Sequence, residues 1–195
     1  MEPPSKIRAF VAIHPPDAVR RELEKIQRRM QKEIPAAAIR WTAPEQIHLT
    51  TNFLGYIEHA RLEDFFAALQ TVSESCPAHS LRVASVGAFP SAKRARILWA
   101  GLSGEVEALQ HLKSSLDQVL QPLGFVPEER AFHPHLTIAR VGLLNSRERR
   151  NVGECIAALA TVPFGEWRVK KIDFMQSVLS PQGAKYELLK SFSLR

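Results

Sequence analysis

The chain has 195 residues, of which 45% are hydrophobic and 24% charged, a balance that fits one globular or bilobal domain with a real core and excludes a disordered chain. Its formal net charge of +6 and pI of about 9.6 suit a polyanionic partner, although a basic surface alone does not establish one. No apolar run is long enough for a membrane-spanning helix and Met1 to Lys6 lack a signal-peptide core, so a cytoplasmic protein without a membrane partner is expected.

Ile7 to Ile13 is a short β-prone run that Pro15 and Pro16 end, and Asp17 is placed to cap the helix that follows. Val19, Leu23, Ile26 and Met30 recur at helical spacing between charged residues. Ile47 to Leu54 predicts the next strand, Arg61 to Val72 a second helix and Leu81 to Phe89 a third strand. After a basic turn-like segment from Pro90 to Arg96 the order restarts. Ile97 to Leu102 is a strand, and Val106, Leu109, Leu112, Leu116 and Val119 mark a helix. His135 to Ala139 is again a strand, and Asn145 with Glu148 predicts a capping box for a fourth helix. Trp167 to Val178 and Lys185 to Leu194 read as two final strands around a turn at Ser180-Pro181-Gln182-Gly183.

Each half therefore reads strand, helix, strand, helix, strand. Asp17 stands as far before His48 as Gly104 stands before His135, a fixed offset that predicts pseudo-repeats at about 7–90 and 96–178. The expected fold is α+β and bilobal, with one wall of a central cleft supplied by each repeat.

The repeat is sharpest at His48-Leu49-Thr50 and His135-Leu136-Thr137, each followed by four residues and a glycine, Gly55 or Gly142, that suits a strand-ending turn. Side chains on a strand alternate faces, so His48 and Thr50 share one face, while Ile47, Leu49 and Phe53 share the other. His135 and Thr137 share a face in the same way, backed by Leu136 and Ile138. Two such pairs across a cleft fit phosphodiester hydrolysis. One imidazole takes a proton from water, the opposite one protonates the leaving oxygen, and the threonine hydroxyls donate to non-bridging oxygens. The scheme requires no metal and no cofactor. A single His-x-Thr on a strand is ordinarily a structural histidine; two copies in matched register are much harder to assign to packing.

These residues resemble the two-histidine phosphoesterase superfamily, and within it the RNA 2′,3′-cyclic phosphodiesterases, also known as 2′-5′ RNA ligases. The likeness runs from Arg8-Ala9-Phe10-Val11-Ala12-Ile13 through Arg40-Trp41, His48 to Gly55, Gly87 to Pro90 and Leu98 to Gly101, to Pro134 through Arg140. It implies antiparallel sheets lining a groove with helices outside. It implies hydrolysis of terminal 2′,3′-cyclic phosphates on RNA to 2′-phosphates, with a slow reversible 2′-5′ joining activity. By motif position His48 and His135 would be catalytic, and Thr50, Thr137 and Arg140 substrate-binding. Because O3′ leaves, His48 is assigned as acid and His135 as base, a polarity that the sequence does not fix. RNA with cyclic phosphate ends, tRNA fragments among them, is the expected partner of a monomer. Thr51 stands where an apolar residue is usual, and on core-facing parity it implies a packing change only.

Arg140 falls on the core face by simple alternation and reaches the cleft only if the strand ends or bulges near Ala139. His133 shares parity with His135; a zinc pair is unsupported by neighbouring carboxylates or thiols, and an RNA-facing helper fits better. Lys93, Arg94 and Arg96 form either an RNA contact or a solvated loop. Phe10 could stack on a base but fits a core role better, as do Trp41 and Trp99. Arg147, Arg149 and Arg150 read as a solvated helix face, and His14, His59, His79 and His111 as surface or structural. Cys76 and Cys155 lie in no zinc or redox spacing, no disulfide is expected, and Cys155 reads as core. Two rivals remain: a related enzyme acting on nucleotide cyclic phosphates, 2′-5′ oligoadenylates or RNA 3′ ends, and a non-catalytic RNA-binding module of the same fold.

Overall fold

In the computed structural model, which describes residues 5–160, 163–180 and 183–195, two antiparallel sheets carry the chain. The elements run β1 (Lys6–Ile13), α1 (Asp17–Glu33), β2 (Ile39–Trp41), β3 (Leu49–Glu58), α2 (Leu62–Ser75), β4 (His79–Phe89), β5 (Ile97–Gly104), α3 (Val106–Leu120), β6 (His135–Val141), α4 (Ser146–Leu159), β7 (Pro163–Val169), β8 (Lys171–Ser180) and β9 (Gly183–Ser193). The first sheet has the order β3-β1-β8-β9 and the second β2-β6-β5-β4-β7. The expected α+β class and cleft-lining sheets hold. Each motif lies beside its own sheet's β1 or β5, which pair with β3 and β6 respectively.

The halves are interlaced rather than laid side by side. β4, from the first half, pairs with β5 of the second sheet, and β8, near the C-terminus, pairs with β1 of the first. The helices cross over too: α2 and α3 cover the first sheet, and α1 and α4 the second. The spacing seen in sequence explains this covering. Val19, Leu23, Ile26 and Met30 form the buried stripe of α1, and Leu109, Leu112, Leu116 and Leu120 that of α3, where Leu120 rather than the expected Val119 is fully buried. At about 1.5–3 kcal/mol per fully buried large aliphatic side chain, these stripes dominate the helices' hold on the sheets.

Several local expectations change. Trp167 to Val178 is not one strand: the chain leaves the second sheet after Val169 and enters the first at Lys171, because β7 pairs with β4 while β8 pairs with β1 and β9. The three-residue β2, an edge strand on β6, was not anticipated. Asp17 opens α1 as its first helical residue, with Pro16 in the cap position, where its carboxylate still faces the positive end of the helix dipole. The Asn145–Glu148 capping box forms as expected. Gly55 lies inside β3 opposite Ala9, with φ +70°, rather than ending the strand; Gly142 does follow the end of β6. Of the expected turn before β9, Pro181 and Gln182 lie outside the described residues.

Candidate active site

His48 immediately precedes β3 and His135 opens β6, and these two strands approach each other across the sheets. Each ring is held in the same way. The Nδ1–H of His48 donates to the carbonyl of Gln46 at 2.7 Å, and the Nδ1–H of His135 to the carbonyl of His133 at 2.7 Å. A backbone carbonyl only accepts, so Nδ1 carries the hydrogen and Nε2 is left as the atom that takes or gives a proton. Each ring also has an aromatic wall. Tyr186 meets His48 edge-on at 5.0 Å and Phe10 lies 5.1 Å away, while Phe89 meets His135 edge-on at 5.0 Å.

The motifs share a second device, a β-bulge three residues after the histidine. Across β1, Ala12 pairs with Thr50 and Val11 with Asn52, which leaves Thr51 without an opposite residue. Across β5, Trp99 pairs with Thr137 and Leu98 with Ala139, which leaves Ile138 unopposed. Both bulges are anchored. The Thr51 hydroxyl donates to the carbonyl of Val11 at 3.2 Å, and the Ile138 carbonyl accepts from Thr42 N–H at 3.0 Å and the buried Gln27 amide at 2.9 Å. An extra residue flips the alternation beyond it. Phe53, expected on the core face, is therefore 43% exposed and stacks beside Phe10 at 6.4 Å. Arg140 is exposed by the same flip, as the bulge condition required, and lies directly across from exposed Arg40. Like charges directly opposite each other repel, and neither arginine has a carboxylate within ion-pair distance among the described residues. Thr50 and Thr137 are partly exposed, and their hydroxyls make no protein hydrogen bond among the described residues.

Burial pushes the His48 imidazole down to about 4 against its bond to Gln46, and nearby His14 and His135 add repulsion. Burial lowers His135 as well, with His133 contributing and the bond to His133's carbonyl opposing. Both rings are thus neutral near pH 7 in the free protein.

His14, expected to be merely surface or structural, belongs to this site. Its ring lies 5.8 Å from that of His48, and its Nδ1–H donates to Asp173 at 2.8 Å. Burial pushes the Asp173 carboxyl up, but bonds from His14, Ser191 and Lys171 outweigh it and leave the group below its usual range. Tyr186, Phe89 and Asp173 were also missed. Phe10 does reach the site, but at 2% exposure it walls His48, and the exposed aromatic face is that of Phe53. Trp99 packs over Gly87, where an added Cβ would come within 2.2 Å of the indole, and so floors the sheet beside Thr137. Trp41 packs against the core. His133 is exposed, with its ring 6.4 Å from Phe89. Lys93, Arg94 and Arg96 are exposed on the loop before β5, as are Arg147, Arg149 and Arg150 on α4. Of the remaining histidines, His79 is buried and His111 exposed. Both cysteines are free and buried. Among the described residues no three His, Cys, Asp or Glu side chains converge to hold a metal ion, and no helix is long and apolar enough to cross a membrane.

Comparison with known proteins agrees with the layout. A family model described as LigT like Phosphoesterase matches the chain twice, over residues 13–99 and 101–186. An RNA 2′,3′-cyclic phosphodiesterase of Aquifex aeolicus is 30% identical over 189 residues, covering 96% of this chain and 97% of that protein. One of Methanocaldococcus jannaschii is 28% identical over 186 residues, covering 95% and 100%. The crystal structure of TT0787 of Thermus thermophilus superposes with a TM-score of 0.77 at 26% identity, over 97% of this chain and 98% of that one.

Proposed function

The chain belongs to the LigT-like phosphoesterase family, and from that premise we propose that it hydrolyses terminal 2′,3′-cyclic phosphates on RNA to 2′-phosphates by metal-independent acid–base catalysis. The observation that carries this reading is the matched pair His48 and His135, each with Nδ1 tied to a carbonyl two residues upstream and each followed by a threonine whose hydroxyl has no protein partner among the described residues. The two matches of the family model to successive halves support a duplicated chain.

In the reaction one imidazole Nε2 accepts a proton from water as its oxygen attacks phosphorus. The P–O3′ bond breaks on the opposite side, and the other Nε2–H delivers its proton to O3′. Thr50, Thr137 and Arg140 hold the non-bridging oxygens, where negative charge accumulates. We assign His135 as base and His48 as acid. Because both rings are neutral in the free protein, the acid acquires its proton with the substrate: a phosphate anion beside an imidazole favours the charged form. With the 5′-hydroxyl of a second RNA in place of water, the same steps form a 2′-5′ linkage, and their reversal restores the cyclic phosphate. Slow, reversible 2′-5′ joining therefore needs no further groups. RNA ends such as those of tRNA fragments are the substrate class, and a monomer holds the whole site.

The test is a short RNA with a 2′,3′-cyclic phosphate, incubated in EDTA. Release of a 2′-phosphate that disappears in His48→Ala and in His135→Ala supports the reading. Undiminished turnover in both variants, or strict dependence on added metal, overturns it. RNA affinity without turnover in the parent protein would favour a binding module.

A further inference from the structure

His14 and Tyr186, whose rings lie 5.8 and 5.0 Å from His48, also form part of the wall of a groove of about 620 Å³. Sites for small molecules span roughly 300–1,000 Å³, so the space suits a nucleotide. The groove lies where the chain changes sheets, at the junction of β7 and β8, and is closed by the end of β1 and the start of α1. None of the motif residues lines it.

Its lining has two chemistries. Arg20, Arg168, Lys170 and Lys171 supply four cations. Arg20 is paired with Asp17, and Lys171 with Asp173 at 3.2 Å. Arg168 and Lys170 are exposed and have no carboxylate within ion-pair distance among the described residues. The only carboxylate in the lining among the described residues, Asp173, is 2% exposed and already bonded to His14 and Ser191. Between the cations lie apolar groups: the half-buried Tyr186 ring, packed on the buried Met175, and Leu188, which is 54% exposed. Unpaired cations beside an aromatic ring and an exposed aliphatic side chain match single-stranded nucleic acid, whose phosphates and bases alternate along the strand.

We propose that this groove receives the RNA strand 5′ of the cyclic end, with Arg168 and Lys170 on its phosphodiesters. The inference rests on the reading above. A 2′,3′-cyclic phosphate closes the 3′ end, so the strand can continue only through the 5′ oxygen of the last nucleoside. The groove adjoins His48 through His14 and Tyr186, and so offers that continuation a path.

The experiment compares adenosine 2′,3′-cyclic phosphate with a five-nucleotide RNA carrying the same end. The parent enzyme is expected to favour the oligonucleotide in kcat/KM. In Arg168→Glu/Lys170→Glu the oligonucleotide kcat/KM should fall by about ten-fold or more through KM, while mononucleotide turnover stays unchanged. The dependence of oligonucleotide binding on salt should weaken by about 1.4 in log–log slope, as expected for two phosphate contacts to a single strand. Equal use of both substrates by the parent, or an unchanged oligonucleotide KM in the double variant, overturns the groove. So does an equal loss on both substrates. If the parent turns over neither compound, the catalytic reading fails by itself. Fluorescence anisotropy of a labelled oligonucleotide then still decides the groove, because the double variant must bind it more weakly.

Discussion

The burial of His48 sets a measurable coupling between pH and stability. Its imidazole is held at about 4 in the folded protein against 6.5 when unfolded. The folded value is the lower one, so between these limits the unfolded chain binds the extra proton. His48 therefore contributes nothing adverse above pH 6.5, and stability is lost as pH falls toward 4. With these two values, the loss between pH 7 and pH 5 is about 2 kcal/mol, approaching one bound proton in slope. The perturbation is His48→Gln, which fills similar space but never carries charge. Urea unfolding at pH 7, 6 and 5 for both proteins gives the comparison. The parent should lose about 2 kcal/mol more than the variant across that range. His135, which burial also lowers, is retained in both proteins, so the comparison isolates the removal of His48 and its repulsion with His135. Parallel stability–pH curves would refute the claim that the His48 setting holds it neutral.

Four other outcomes follow from the same geometry. Calorimetry of a non-hydrolysable phosphate analogue in buffers of different ionisation enthalpy should show uptake of up to about one proton at pH 7, since a neutral pair must become singly charged; no uptake would contradict the neutral pair. A substrate with sulfur in place of the bridging O3′ needs no proton on its leaving group, so it should restore turnover to His48→Ala but not to His135→Ala; the opposite pattern would reverse the polarity. Thr50→Val and Thr137→Val should each lower kcat by about 10²-fold with a smaller change in KM, and an effect confined to KM would make them ground-state binders. Gly87→Ala drives a methyl into the Trp99 indole, which should cost about 1–3 kcal/mol in unfolding free energy and lower activity together; a neutral result would show that Trp99 is free to move.

The paired His-x-Thr motifs were legible in the sequence because a motif repeated at one offset is a local signal. The helices were legible for the same reason: an apolar stripe such as that of α1 is written in consecutive turns. Sheet order is not local. Nothing within Trp167 to Val178 says that its two ends pair with different sheets, since that choice is made by β4 and β1, distant in sequence. Alternation misplaced Phe53 and left Arg140 conditional because a bulge depends on what the neighbouring strand leaves unopposed. The anchoring groups, Gln27 for one bulge and the Thr51 hydroxyl for the other, lie in different elements. His14 was hidden behind two prolines, and its partner Asp173 lies 159 residues away, so only the β1–β8 pairing brings them together. Thr51 itself turned from an oddity of composition into a clamp on its own bulge.

The matched bulges have a consequence for how a substrate is oriented. On the proposed mechanism, two walls built alike, each with a histidine and a threonine, do not by themselves distinguish the two opposed poses of a cyclic phosphate, one of which directs water against the wrong bond. The bulge brings one more side chain from each strand to the open surface, and there the duplicates have parted company: an aromatic ring on one side, Phe53, and a guanidinium on the other, Arg140. The Phe53 ring carries the Arg8 guanidinium 4.6 Å from its centroid, whereas Arg140 faces another arginine, Arg40. Two near-symmetric walls thereby differ at one corresponding position, five residues after each histidine, where the copies have diverged in chemistry.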